Sequence, residues 1–129
     1  MENQDQQTEN LLTAATEELY DLSILEEMDD NEYTVDILNI FLKDTPVELK
    51  EMKAALHEGN TETIAKKAHK IKGSSGIIQA RGLCTLLDRV EKIAKTGTIN
   101  DTLKSLVESI QQLYNITDRA LKLHLQELK

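Results

Sequence analysis

The sequence contains few residues of the kinds that interrupt helices or staple small folds. Its 129 residues include no tryptophan, one phenylalanine, three tyrosines, one proline, five glycines and one cysteine. So few helix breakers favour long helices over many short strands. The single cysteine, Cys84, has no partner for an internal disulfide, which indicates a reducing compartment. No apolar run reaches the roughly 20 residues that span a bilayer. These absences predict a helical, cytoplasmic protein.

The charge balance excludes another class of partner. The formal net charge is −8, whereas nucleic acids and anionic membranes attract clustered lysine and arginine. Residues 1–10 are polar and acidic and do not resemble a signal peptide. We interpret them as a flexible tail or linker, and residues 11–129 as one domain.

From Leu11 onward, apolar residues recur at helical spacing. The pattern predicts short N-terminal helices over about residues 11–19 and 22–28, then helices over about 31–43, 46–58, 61–79, 81–95 and 101–128. Asp44 to Pro46 is interpreted as a break between two helices, and Thr61 as the cap of the next one. The short connections predict an all-α, antiparallel up-and-down four-helix bundle with extra short N-terminal helices.

One predicted helix carries an unusual outer face around His69. Helical geometry places Ile64, Ala68, Ile71, Ser75 and Ile78 on one core stripe, and His69 roughly 140° from its middle. Five residues are expected near His69 on the outer face: Ala65, Lys66, Lys72, Gly73 and Gly76.

The two glycines on this face are costly, because glycine inside a helix is about 1 kcal/mol worse than alanine. They clear space beside an imidazole whose neutral form offers an unprotonated nitrogen as nucleophile. Four lysines cluster on this segment with no acid between them: Lys66, Lys67, Lys70 and Lys72. The combination suits a dianionic group that another protein must approach, although an ordinary surface histidine, as at His57 and His124, stays an alternative.

This segment resembles the histidine-containing phosphotransfer (HPt) domains of bacterial and eukaryotic phosphorelays. The resemblance rests on His69-Lys70-Ile71-Lys72-Gly73-Ser74-Ser75, on Ile40-Phe41-Leu42-Lys43-Asp44-Thr45-Pro46, and on Leu83-Cys84-Thr85-Leu86-Leu87 leading to Glu91. It implies a four-helix bundle that carries a phosphoryl group on Nε2 of His69.

The resemblance also implies roles for neighbouring residues. Lys72 would assist the phosphoryl group electrostatically, and Gly73 would leave room for it. Glu91 matches a glutamate of the chemotaxis-kinase branch that contacts the other ring nitrogen. Many family members have glycine where this chain has Gln79, which puts the local geometry in question and places an amide near the phosphoryl site. The remaining binding candidates are Lys66, Lys70, Gly76 and Ala65.

The expected function is that of a phosphorelay intermediate, not an enzyme. His69 would accept a phosphoryl group from an aspartyl phosphate, or from a histidine kinase system, and pass it to an aspartate of a receiver domain. No cofactor, metal or ATP site is expected, and magnesium would belong to the partner. The expected partners are receiver domains of response regulators or of hybrid histidine kinases. The domain itself is expected to be a monomer, either free-standing or part of a larger hybrid kinase. Leu25 and Met28 are candidate docking residues.

Two other functions were considered. A di-iron bundle needs Glu-x-x-His spacing, but Ala54, Lys66 and Leu121 stand three residues before the histidines. A non-phosphorylated helical adaptor that binds a signalling partner remains the alternative.

Overall fold

The computed structural model describes residues 19–128. A short helix α1 spans Ser23–Glu27, and four longer helices follow. These are α2 (Asn31–Glu58), α3 (Thr61–Ile77), α4 (Arg81–Lys95) and α5 (Asp101–Leu128). The prediction for residues 11–19 falls almost wholly outside the described part of the chain, as does the interpretation of residues 1–10.

Side-chain caps mark the start of α2, α3 and α5. Asn60 accepts a hydrogen bond from the backbone N–H of Thr63 at 3.1 Å and caps α3. The prediction that Thr61 is the cap is therefore wrong by one residue, because Asn60 reaches the free N–H groups of the first turn. Asn100 accepts from the N–H of Leu103 at 2.8 Å, as expected for the start of α5.

The predicted break at Pro46 is also wrong, because α2 continues through the proline as one helix of 28 residues. A proline inside a helix costs about 3 kcal/mol. Phe41, Leu49 and Met52 lie on the same buried stripe of α2, and burial contributes about 2 kcal/mol for each such side chain. Packing on both sides of Pro46 therefore outweighs the lost backbone hydrogen bond.

The four long helices close into a bundle. Each packs against the next along the chain, α2 also packs against α5, and α1 packs against α2. The all-α four-helix architecture is as predicted. None of the described helices has the length and apolar character needed to cross a membrane. Because α3 is flanked by both α2 and α4, side chains from two neighbours reach the residues around His69.

Candidate functional site

Helix α3 presents His69 to solvent and its apolar stripe to the core. The side chain of His69 is 71% exposed. The predicted stripe is fully or nearly fully buried: Ile64, Ala68, Ile71, Ser75 and Ile78. The register assumed for this helix is therefore correct, and the imidazole is accessible to another protein.

Glu91 of α4 holds one ring nitrogen of His69. The distance from His69 Nδ1 to Glu91 Oε2 is 3.0 Å. An ionised carboxylate can only accept hydrogen bonds, so Nδ1 carries the hydrogen and donates it. In the neutral ring this leaves Nε2 unprotonated and directed away from Glu91. The contact gives the tautomer that a nucleophilic Nε2 requires.

Two lysines keep Glu91 ionised although its side chain is only 5% exposed. Lys72 Nζ lies 2.7 Å from Oε1, and Lys95 Nζ lies 3.0 Å from Oε2. Hydrogen bonds from Lys72 first, then from Lys95 and His69, lower the pKa of Glu91 to about 2 against the opposing effect of burial. Glu91 is therefore a permanent acceptor for Nδ1–H near neutral pH.

Lys72 lies between two carboxylates. Besides Glu91, its ammonium group contacts Asp88 Oδ1 at 3.1 Å. Hydrogen bonds to Glu91 and then to Asp88 raise the pKa of Lys72. Lys72 is thus a fixed cation beside the ring that orients Glu91 directly, in addition to any contact it makes with a phosphoryl group.

The remaining lysines of α3 are paired as well. Lys66 lies 3.3 Å from Glu62, while Lys67 and Lys70 lie 3.0 and 2.9 Å from the two oxygens of Glu48 on α2. The expectation of a positive patch is therefore only partly correct. Glu62 lies one turn before Lys66 on α3 itself, whereas Glu48 comes from α2 and is not revealed by the local sequence of α3.

The lysines and acids differ in their exposure. The side chain of Lys70 is 63% exposed and that of its partner Glu48 is 12% exposed, whereas Lys66 and its partner Glu62 are 73% and 82% exposed. The ammonium group is therefore the outer member of the pair at Lys70, but not at Lys66.

Gly73 and Gly76 leave open space on the same face. A Cβ atom built at either position meets no other atom within 4 Å, and neither glycine has a positive φ. Nothing in the described structure requires glycine at these two positions. The cleared surface beside His69 is available to a partner.

Two other candidates lie elsewhere. Ala65 is buried, so the expectation that it lines the outer face is wrong. Contact of α3 with both α2 and α4 widens the buried arc of the helix to include it. Gln79 lies beyond the end of α3 with φ at 52°, and its side-chain oxygen accepts from Arg81 at 3.1 Å. Its left-handed backbone is the conformation that glycine adopts without strain.

Of the two apolar residues expected to dock a partner, one is buried and the other is exposed. Leu25 is buried in the core, so it is not a surface residue, whereas Met28 is 57% exposed. The sequence reading missed Ile40 and Ile77, which are 57% and 55% exposed. Both line a cleft of about 70 Å³ between α2 and α3 that also includes Ser74. The sequence signal for this apolar pair is an isoleucine that interrupts the polar face of each helix.

The described residues contain no group of three His, Cys, Asp or Glu side chains placed to hold a metal ion. Cys84 is half-buried, and burial raises the pKa of its thiol. What the site offers is one accessible imidazole with a defined tautomer, an ion-paired carboxylate behind it and open space in front.

Comparison with known proteins identifies the family of this chain. The family model described as the Hpt domain matches residues 36–129. The chain belongs to the Hpt domain family. Hpt domains act in histidine phosphotransfer within two-component phosphorelays, and this chain does so as a carrier. The family interacts with receiver domains and kinases.

A solved structure agrees with this assignment. The fold of this Hpt domain is similar to the crystal structure of histidine-containing phosphotransfer protein B (HptB) from Pseudomonas aeruginosa PAO1. The two chains are 26% identical with a TM-score of 0.78, over 84% of this chain and 96% of that one. No curated protein sequence matches the chain.

Proposed function

We propose that His69 is the phosphoacceptor of this Hpt domain and exchanges a phosphoryl group with an aspartate of a receiver domain. The observation that carries the proposal is the hydrogen bond from Nδ1 to Glu91 at 3.0 Å on a ring that is 71% exposed. His57 is exposed too, but within residues 19–128 no carboxylate contact of this kind orients it. His124 is partly covered and faces Tyr20 and Glu26.

The chemistry follows from the tautomer. The Nε2 lone pair attacks the phosphorus of an aspartyl phosphate, and an N–P bond forms as the P–O bond to the aspartate breaks. The aspartate leaves as a carboxylate, so no proton has to be removed from Nε2. The ring becomes positively charged and keeps its Nδ1–H, which Glu91 stabilises. The reverse reaction delivers the group to the next receiver.

The docking surface follows from the exposed residues around the ring. We propose that Gly73 and Gly76 admit the receiver close to Nε2, and that Ile40 and Ile77 supply apolar contacts beside it. Lys66 and Lys70 lie at the rim, where their charges favour an acidic partner. Gln79 bonds Arg81 at one end of this surface, so we assign it a local structural role.

The domain then works as a carrier. We propose that it has no ATP site of its own, acts as a cytoplasmic monomer and depends on its partner for most of the catalytic groups. A free-standing relay protein and a domain of a hybrid kinase would use the same surface.

Incubation with a labelled phospho-receiver tests this function. We expect label that is acid-labile and base-stable in the native protein and absent in His69→Gln. His57→Gln is the matched control and should accept label at the native rate. Acid-stable label, or label that is still present in His69→Gln, would contradict the proposal. Receiver binding with no labelling from any donor would favour the adaptor function.

A further inference from the structure

One oxygen of Glu91 is shared by two donors. Oε2 lies 3.0 Å from His69 Nδ1 and 3.0 Å from Lys95 Nζ, while the other oxygen, Oε1, is bound by Lys72. Lys95 lies one turn after Glu91 on α4, and its side chain is 66% exposed.

The two lysines pull the carboxylate in different directions. Lys72 is the shorter contact, at 2.7 Å. Without Lys95, the Glu91 side chain is free to rotate about its terminal bonds and offer both oxygens to the Lys72 ammonium group. That rotation would take Oε2 away from Nδ1. Lys95 binds the oxygen that His69 uses, and therefore opposes the rotation.

The charge of Lys95 also has an effect that opposes the Nδ1 hydrogen bond. The positive charge of Lys95 also withdraws negative charge from Oε2, which weakens the acceptor for Nδ1–H. Glu91 is nearly buried, and a buried carboxylate requires hydrogen bonds at both oxygens. Because Oε2 has a second lone pair for Lys95, the two donors do not compete for one site.

We propose that Lys95 is a positioning residue for His69. It holds Glu91 Oε2 against Nδ1, keeps the hydrogen on that nitrogen and so leaves Nε2 unprotonated. No hydrogen bond joins Lys95 to the ring in the described structure, so we assign its effect to Glu91. The positioning stands on this geometry alone, whereas its consequence for phosphoryl transfer rests on the proposed function of His69.

The direct test is the tautomer of His69, read from the ring ¹⁵N chemical shifts of the free protein at a pH where the ring is neutral. Lys95→Met, which keeps the apolar stem, should increase the population with hydrogen on Nε2. Lys95→Arg should restore the native spectrum. Lys92→Met is the charge control, because Lys92 is an exposed lysine of the same helix that pairs with Asp88 Oδ2 at 2.8 Å and not with Glu91. It should leave the tautomer unchanged.

The rate test uses labelled phosphoramidate, a small donor that needs no docking surface. The N–P bond to His69 forms as the P–N bond of phosphoramidate breaks and ammonia leaves. Lys95→Met should slow acceptance on the order of tenfold, as is typical when a residue supporting a reactive group is removed. An unchanged tautomer in Lys95→Met, or faster acceptance, would overturn the proposal. Failure of the native protein to take label on His69 would instead refute the proposed function, and the spectra would still decide the role of Lys95.

Discussion

Glycine occurs in α3 where the fold does not require it and is missing just after α3 where the fold favours it. Gly73 and Gly76 have ordinary helical φ values and open space above them. Gln79, two residues beyond the helix, has φ at 52°. Gly97, after α4, shows the usual arrangement, with glycine at φ 78°.

These positions show two different reasons why a glycine occurs in this chain. At Gly97 the backbone conformation accounts for it, because only glycine adopts a left-handed φ without strain. At Gly73 and Gly76 neither conformation nor packing accounts for it, and the proposed approach of a receiver to His69 supplies a reason. On that proposal, the domain gives up helix stability on the face that carries His69. Four predictions test this explanation of the glycines and of the charges on the same face.

The largest expected effect is on transfer from a receiver. Gly73→Leu adds a side chain one turn from His69, into space that is empty in the free domain. We expect transfer to fall on the order of 100-fold, because a displacement of about 1 Å between reacting groups can cost that much. The measurement is the single-turnover rate with a labelled phospho-receiver. Ala54→Leu, on the exposed face of α2, is the control for an added leucine. Native transfer rates in Gly73→Leu would remove the partner explanation.

The second effect is on stability and has the opposite sign. Replacing both Gly73 and Gly76 by alanine should raise the free energy of unfolding by about 2 kcal/mol, since each exchange in an exposed helix interior contributes about 1 kcal/mol. Urea unfolding of the double variant and of each single variant measures it. A loss of stability would mean that these glycines serve the fold after all.

The third effect concerns the residue after α3. Gln79→Gly should stabilise the domain by about 1 kcal/mol, because a non-glycine residue at left-handed φ is strained by about that amount. Gln79→Ala keeps the Cβ and loses the Arg81 contact, so it should give no gain. Gly97→Ala should destabilise by a similar amount. Equal unfolding midpoints for Gln79→Gly and Gln79→Ala would contradict the strain argument.

The smallest effect is a pH dependence of the charges beneath the reactive face. The pKa of Glu91 is lower in the folded than in the unfolded chain, so its ion pairs stabilise the fold above the unfolded value. That contribution is lost as the pH falls from about 4.5 toward about 2. Glu91→Gln should therefore lose less stability than the native domain over this range, measured by urea unfolding at several pH values. Parallel curves would contradict the pKa assignment.

Much of the fold was predictable from local patterns. The stripe of α3 and the outward direction of His69 follow from helical spacing alone, since one strongly periodic segment determines its own buried face. Pro46 was misread because its cost is local, whereas the burial of Leu49 and Met52 that offsets it depends on α3 and α5. Asn60 was missed by one residue, which is the usual uncertainty of a helix start.

Some features of the candidate site were predictable from the sequence and others were not. The four-helix bundle was predictable from apolar periodicity in several segments joined by short connections. The exposed position of His69 and the two glycines beside it were predictable from the spacing within one helix. Only the tertiary structure decided which carboxylates lie under the lysines, that Ala65 is buried and that Gln79 has a strained backbone. It also brought Lys72 of α3 to one oxygen of Glu91, whereas Lys95, which contacts the other oxygen, is a local partner one turn along the same helix. Contacts between helices depend on how their faces meet in space, and no local pattern encodes that.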